Sequence, residues 1–85
     1  MKRVTLYTRQ ECHLCEHAKE VLERVRKDTP FVLDEHVLQE GEPSFDRYQE
    51  LVPVVTIDGE FAFKYRVDES RLREMLTREG KREAT

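Results

Sequence analysis

The 85-residue chain has no long apolar run, no excess of basic residues and only two cysteines. A membrane-spanning helix needs about 20 predominantly apolar residues, so the sequence predicts none. The N-terminus also lacks the apolar stretch of a secretory signal. A formal net charge of -3 gives no basic footprint for nucleic acid. We therefore expect a cytoplasmic protein that binds neither nucleic acid nor a membrane.

The length of the chain leaves no room for a second domain, and the sequence contains no repeat, linker or low-complexity segment. Charged residues make up 39% of the chain, a level that also occurs in disordered proteins. Regular apolar periodicity favours an ordered fold instead. We expect a single domain over residues 1–85, with a frayed tail at 81–85.

The sequence pattern of the first half of the chain predicts a strand, a helix and a second strand. Alternation over Arg3–Tyr7 predicts the first strand, and Thr29-Pro30 ends the helix that follows. Residues 31–37, aromatic and β-branched, predict the second strand. Such a unit is right-handed with parallel strands. The apolar positions of the helix recur at steps of three and four: Leu14, Ala18, Val21, Leu22 and Val25.

The second half of the chain reads as a short helix, a β-hairpin and a last helix. Residues 53–57 form an apolar strand, Asp58-Gly59 is a strong hairpin signal, and Asp68 is a suitable N-cap for the last helix. Helical spacing predicts the short helix from three residues: Phe45, Tyr48 and Leu51. Three aromatic residues alternate on the return strand, where we expect them to pack on the sheet: Phe61, Phe63 and Tyr65. The predicted order is β-α-β-α-β-β-α, a four-stranded mixed sheet flanked by three helices.

The two cysteines, Cys12 and Cys15, lie three positions apart where the first strand gives way to the first helix. A helix start stabilises a thiolate through its unpaired N–H groups and its dipole. The thiolate is the reactive form of cysteine. We therefore predict that Cys12 is a nucleophile and that Cys15, one turn inside the helix, resolves the disulfide that Cys12 forms.

Three other interpretations of the cysteine pair remain open. A zinc site needs four ligands, and because there is no second CxxC the chain would have to recruit His13, His17 or His36, or dimerise. An iron–sulfur cluster would need thiols from outside the chain. The cysteines could also be buried and inert. We favour redox chemistry, because the chain has no second CxxC to complete a metal site and because two cysteines in an intracellular chain are seldom a structural disulfide.

The order of elements, with CxxC opening the first helix, resembles the glutaredoxins over roughly residues 3 to 78. These proteins have the minimal thioredoxin fold. Three segments carry the resemblance: residues 7–15, with the strand end, a basic residue and CxxC; Val52-Pro53-Val54, similar to the cis-proline strand; and Ile57-Asp58-Gly59, similar to its hairpin. Each segment is a weak signal alone, but together and in this order they are specific for the fold.

The resemblance implies substrate-binding roles for residues around the cysteines. Arg9 is expected to contact the thiolate or a carboxylate of the bound thiol substrate. Pro53 is expected to follow a cis peptide bond, leaving the backbone of Val52 free to hold an extended substrate segment. His13 is a further candidate, because an imidazolium near the sulfur of Cys12 would favour the thiolate.

Two departures from the glutaredoxin pattern concern glutathione. Glutaredoxins usually have Pro and Tyr between the cysteines, where this chain has His13 and Leu14, and a glycine pair after the last strand, whose place we assign to Phe63-Lys64. We therefore expect weak glutathione use, because side chains there would obstruct close backbone approach.

These patterns together predict a monomeric thiol–disulfide oxidoreductase that acts on protein or low-molecular-weight disulfides. We expect no bound cofactor. Electrons would come from glutathione as co-substrate or from a thioredoxin-reductase-type protein. The alternatives are a metal or cluster carrier and a redox-responsive binding module.

Overall fold

The computed structural model describes residues 1–77 in full, and the tail predicted at 81–85 lies outside them. The fold has the predicted order of elements and the predicted mixed four-stranded sheet. The elements are β1 (Arg3–Thr8), α1 (His13–Arg26), β2 (Val32–Val37), α2 (Pro43–Tyr48), β3 (Val54–Ile57), β4 (Glu60–Lys64) and α3 (Glu69–Ala84).

The sheet has the strand order β2-β1-β3-β4. β1 runs parallel to β2 and antiparallel to β3, and β3 and β4 form the predicted hairpin. Tyr7 pairs with Val54, so the C-terminal end of β1 and the N-terminal end of β3 lie next to each other at one end of the strands. The chain leaves β1 at this end of the sheet and continues to Cys12.

One core lies between the sheet and the two long helices. It is built from apolar side chains of β1, β3 and the inner face of α1, with Leu72 from α3. The apolar periodicity that predicted α1 accounts for its burial, because residues three and four apart share a helix face. α2 differs from these helices in having no buried residue.

Two details of the predicted second half are wrong. Leu51 lies beyond α2. Of the three aromatic residues expected to pack on the sheet, only Phe63 is buried, while Phe61 is 52% and Tyr65 46% exposed. The physical reason is that β4 is an edge strand whose pairing with β3 shifts register between Val55 and Thr56, and Tyr65 lies outside it.

The turn between β3 and β4 is tied to the start of β1. Asp58 and Gly59 have φ values of 52° and 87°, the left-handed conformation that a type I′ hairpin requires. The carboxylate of Asp58 accepts a hydrogen bond from the backbone N–H of Arg3 at 2.9 Å and pairs with Nζ of Lys2 at 3.2 Å. Both contacts hold the pKa of Asp58 below its usual value, and the hydrogen bond from the backbone N–H of Arg3 is the larger cause.

This shift in the pKa of Asp58 predicts a pH-dependent effect for Asp58→Asn, a change that keeps a residue tolerant of positive φ. A carboxylate whose pKa is lowered by folding adds stability above its unfolded pKa and loses that contribution as pH falls through the folded pKa. The variant should therefore unfold at lower urea than the parent at pH 7. The difference should shrink below about pH 4.

The matched control is Glu60→Gln, since Glu60 is exposed and has no ion pair among residues 1–77. It should follow the parent protein across the same pH range. A difference between Asp58→Asn and the parent that stays constant from pH 7 to pH 3 would contradict the role given to the carboxylate.

Candidate active site

Cys12 is the N-cap of α1, with extended backbone angles of φ -114° and ψ 105°. Its sulfur accepts a hydrogen bond from the backbone N–H of Cys15 at 3.2 Å. A side-chain oxygen usually fills this position and satisfies one of the free N–H groups of the first turn. Because a sulfur fills it here, the start of α1 directs a backbone donor at Cys12.

Cys12 and Cys15 form a disulfide, with Cα atoms 5.3 Å apart. Their surroundings differ, because Cys12 is partly exposed while Cys15 is 4% exposed and faces the core side of α1. Cys12 is therefore the more exposed residue of the pair, which favours it as the one that a partner in solution meets first.

The segment that precedes β3 lies next to the C-terminal end of β1. The Tyr7–Val54 pair places Pro53 next to the end of β1, and the Val52–Pro53 peptide bond is cis. The N–H of Tyr65 donates to the carbonyls of Leu51 and Pro53, at 3.1 and 2.9 Å. Val52, between these two anchored residues, makes no backbone hydrogen bond within residues 1–77. Its N–H and carbonyl therefore take no part in the backbone pairing of the sheet.

Arg9 has a contact that the sequence did not predict, and His13 is exposed. Nη1 of Arg9 donates to the carbonyl of Gln49, at the C-terminal end of α2, at 3.0 Å. His13 is the exposed first residue of α1, and its side chain makes no hydrogen bond or ion pair within the described part of the chain. The structure thus places Val52 and Pro53 near the C-terminal end of β1, the strand that precedes Cys12. It directs the side chain of Arg9 toward α2. The binding roles of all four residues remain predictions.

An aromatic cluster, which the sequence patterns missed, lies where α2 meets the sheet. The ring of Tyr7 packs against Tyr48 of α2 and His36 of β2, with centroid distances of 4.9 and 5.4 Å. His36 Nε2 lies 2.8 Å from a carboxylate oxygen of Glu42, and this hydrogen bond, followed by one from the N–H of Gln39, lowers the pKa of Glu42. Tyr7, His36 and Tyr48 are distant in sequence, so no local pattern indicates that their rings are in contact.

The histidines that a zinc site within one chain would recruit are not gathered around the cysteines in the described residues. His36 is engaged with Glu42, while His13 and His17 are exposed on α1. In the part of the chain that the structure describes, no three His, Cys, Asp or Glu side chains are grouped to hold a metal ion. Among the same residues, no helix has the length and apolarity to cross a membrane.

The place assigned to the missing glycine pair is wrong. Phe63 and Lys64 are paired residues of β4, so the two positions after the strand belong to Tyr65 and Arg66. Tyr65 has φ 71°, a left-handed conformation that a bulky residue adopts rarely and glycine adopts freely. Tyr65 therefore carries a large side chain on a backbone conformation that glycine usually adopts.

The order of elements and the mixed four-stranded sheet, with a CxxC pair at the start of the first helix, define a protein of the thioredoxin fold. The chain matches the sequence profile of the glutaredoxin-like domain (DUF836) over residues 3–77. It belongs to this glutaredoxin-like family.

Individual relatives agree with this assignment. A glutaredoxin-like protein of Dictyostelium discoideum is 35% identical over 75 residues, which cover 81% of this chain and 69% of that protein. The structure of protein XcR50 from X. campestris has a TM-score of 0.71 and 29% identity, covering 86% of this chain and 93% of that one. Thioredoxin from Fasciola hepatica, at 23% identity and a TM-score of 0.54, covers 91% of this chain and 79% of its own, and shares the fold.

The different surroundings of the two sulfurs predict which thiol reacts first in the reduced protein. Cys12 has both access to solvent and a donor at the helix start, whereas burial of Cys15 disfavours its thiolate. Iodoacetamide should therefore label Cys12 faster than Cys15, and at lower pH, as followed by peptide mass spectrometry. Equal labelling in urea is the control, and faster labelling of Cys15 in the folded protein would overturn the assignment.

Proposed function

We propose that this protein is a dithiol thiol–disulfide oxidoreductase that reduces or exchanges protein or low-molecular-weight disulfides through Cys12 and Cys15. The observation that carries the proposal is the arrangement of the pair. A partly exposed cysteine at a helix start is bonded to a buried cysteine one turn further on. Membership of the glutaredoxin-like family supports the same class of chemistry.

The proposed reaction starts from the reduced protein. The thiolate of Cys12 attacks one sulfur of the substrate disulfide, forms a mixed disulfide and releases the other substrate sulfur as a thiolate, which takes up a proton. Cys15 then loses its proton and attacks the sulfur of Cys12, which releases the second substrate thiol. Two electrons pass to the substrate, and the protein is left with the Cys12–Cys15 disulfide seen in the structure.

The segment before β3 is suited to hold the substrate during this exchange. The free N–H and carbonyl of Val52 can pair with an extended peptide in the manner of an added strand. Pro53 is buried and fixes the position of that segment against the sheet. Backbone pairing of this kind is sequence-tolerant, so we propose peptide and protein disulfides as substrates.

We further propose that the protein works as a monomer in the cytoplasm and needs no bound cofactor. Reducing compartments keep exchangeable thiols in the reduced form that starts the reaction. Two molecules of glutathione, or the dithiol of a thioredoxin-reductase-type protein, would supply the two electrons that restore Cys12 and Cys15.

Trapping of the mixed disulfide tests the mechanism. With Cys15→Ser, Cys12 should attack a peptide disulfide and stay bound to one half of it, because the resolving thiol is absent. Mass spectrometry under non-reducing conditions should show this stable adduct. Cys12→Ser should form it far more slowly, since the sulfur of Cys15 is buried.

Equal adduct formation by both variants would contradict the proposed roles. A visible absorption band in protein purified without oxygen, lost in both variants, would instead support the iron–sulfur alternative. The parent protein should yield free peptide thiol and its own disulfide, which controls for the competence of the substrate.

A second prediction concerns the electron donor. Activity with glutathione should be weak, because the side chain of Tyr65 stands at the position where glutaredoxins bring backbone close to glutathione. Tyr65→Gly should keep the backbone path, which glycine adopts at φ 71° without strain, and raise the rate of glutathione-dependent reduction of a small mixed disulfide. Phe61→Ala, which removes another exposed ring, is the control. A high parent rate that Tyr65→Gly leaves unchanged would refute this prediction.

A further inference from the structure

α2 leads directly into the segment that we propose holds the substrate, yet the helix is weakly anchored. It spans six residues and none of them is buried. Helices this short draw their stability from tertiary contacts. The position of α2 on the sheet therefore depends on a few specific contacts, among them the packing of Tyr48 on Tyr7.

Arg9 supplies one of these contacts at the C-terminal end of α2. The last carbonyls of a helix have no partner within it, and a cation there is also favoured by the helix dipole. Gln49 is the C-cap of α2, and its carbonyl accepts the hydrogen bond from Nη1 of Arg9 at 3.0 Å. Arg9 thus joins the loop that carries Cys12 to the end of α2, 40 residues further along the chain.

A hydrogen-bonded turn connects the end of α2 to the substrate segment. The N–H of Leu51 donates to the carbonyl of Tyr48 at 2.8 Å, and the carbonyl of Leu51 accepts from Tyr65. Val52 follows immediately. A displacement of the end of α2 would therefore be passed to the peptide groups of Val52.

We infer that Arg9 is a positioning residue for disulfide exchange, and this inference rests on the proposed function. By holding the carbonyl of Gln49, Arg9 keeps the Val52 segment at a fixed position relative to Cys12. Its effect reaches the substrate through the backbone of residues 49–52, without a contact to the thiolate. Substrates that pair with the Val52 backbone depend on Arg9, and small disulfides do not.

The test compares Arg9→Ala with Arg71→Ala, which removes an exposed arginine of α3 whose side chain has no partner among the described residues. We expect Arg9→Ala to raise the KM for a peptide disulfide about three- to tenfold, as the loss of one charged hydrogen bond allows. The kcat for that substrate, the rate with a small disulfide and the pH midpoint of Cys12 alkylation should all stay at the parent values. Arg71→Ala should match the parent in every measurement.

Arg9→Lys separates positioning from stabilisation of the thiolate. Lysine keeps the charge but lacks the planar fork of donors, so it should not restore the KM. A KM restored to the parent value by Arg9→Lys would overturn the inference. It would also be overturned if Arg9→Ala moved the alkylation midpoint of Cys12 to higher pH and lost activity equally on both substrates.

Amide hydrogen exchange gives a readout that does not depend on activity. In Arg9→Ala the amides of Leu51 and Tyr65 should exchange faster than in the parent and in Arg71→Ala. Unchanged exchange would overturn the inference. If the parent protein reduces neither disulfide, the proposed function fails, while the exchange rates still decide whether Arg9 holds the segment.

Discussion

The pairing of β1 with β3 is the constraint on which the candidate site depends. β1 is a central strand, and the chain that leaves its end continues to Cys12. The antiparallel Tyr7–Val54 pair places the beginning of β3 next to that end of β1. Two segments about 40 residues apart in sequence are thereby held side by side. Neither the helix start nor the cis-proline segment can form a site alone.

The periodicity of α1 determines how the two cysteines differ. Cys15, Ala18, Leu22 and Val25 are three or four residues apart and share the buried face, so the burial of Cys15 follows from the pattern that builds the core. Cys12 precedes the helix as its N-cap and is not part of that pattern. The same local geometry therefore produces one sulfur that faces the core and one that faces solvent.

The fold was predictable because its signals are local. Helical spacing, the Asp58-Gly59 turn and the CxxC pair each lie within a few residues, and the strand–helix–strand order restricts the topology. The contact of Arg9 with Gln49 and the aromatic packing around Tyr7 join distant segments, so they have no local signal. The positive φ of Tyr65 was missed because its N–H donates to the carbonyls of Leu51 and Pro53, which belong to a distant segment of the chain and leave no local signal.

The open side of β4 bears on how the protein behaves at high concentration. An unpaired strand edge can act as a template for another chain, and exposed Phe61 would add to that risk. β4 is only five residues long, and charged Glu60 and Lys64 stand at its two ends. Short length and flanking charge are the means by which natural sheets discourage edge-to-edge association. The edge of β4 is thereby protected against aggregation despite its exposed aromatic ring.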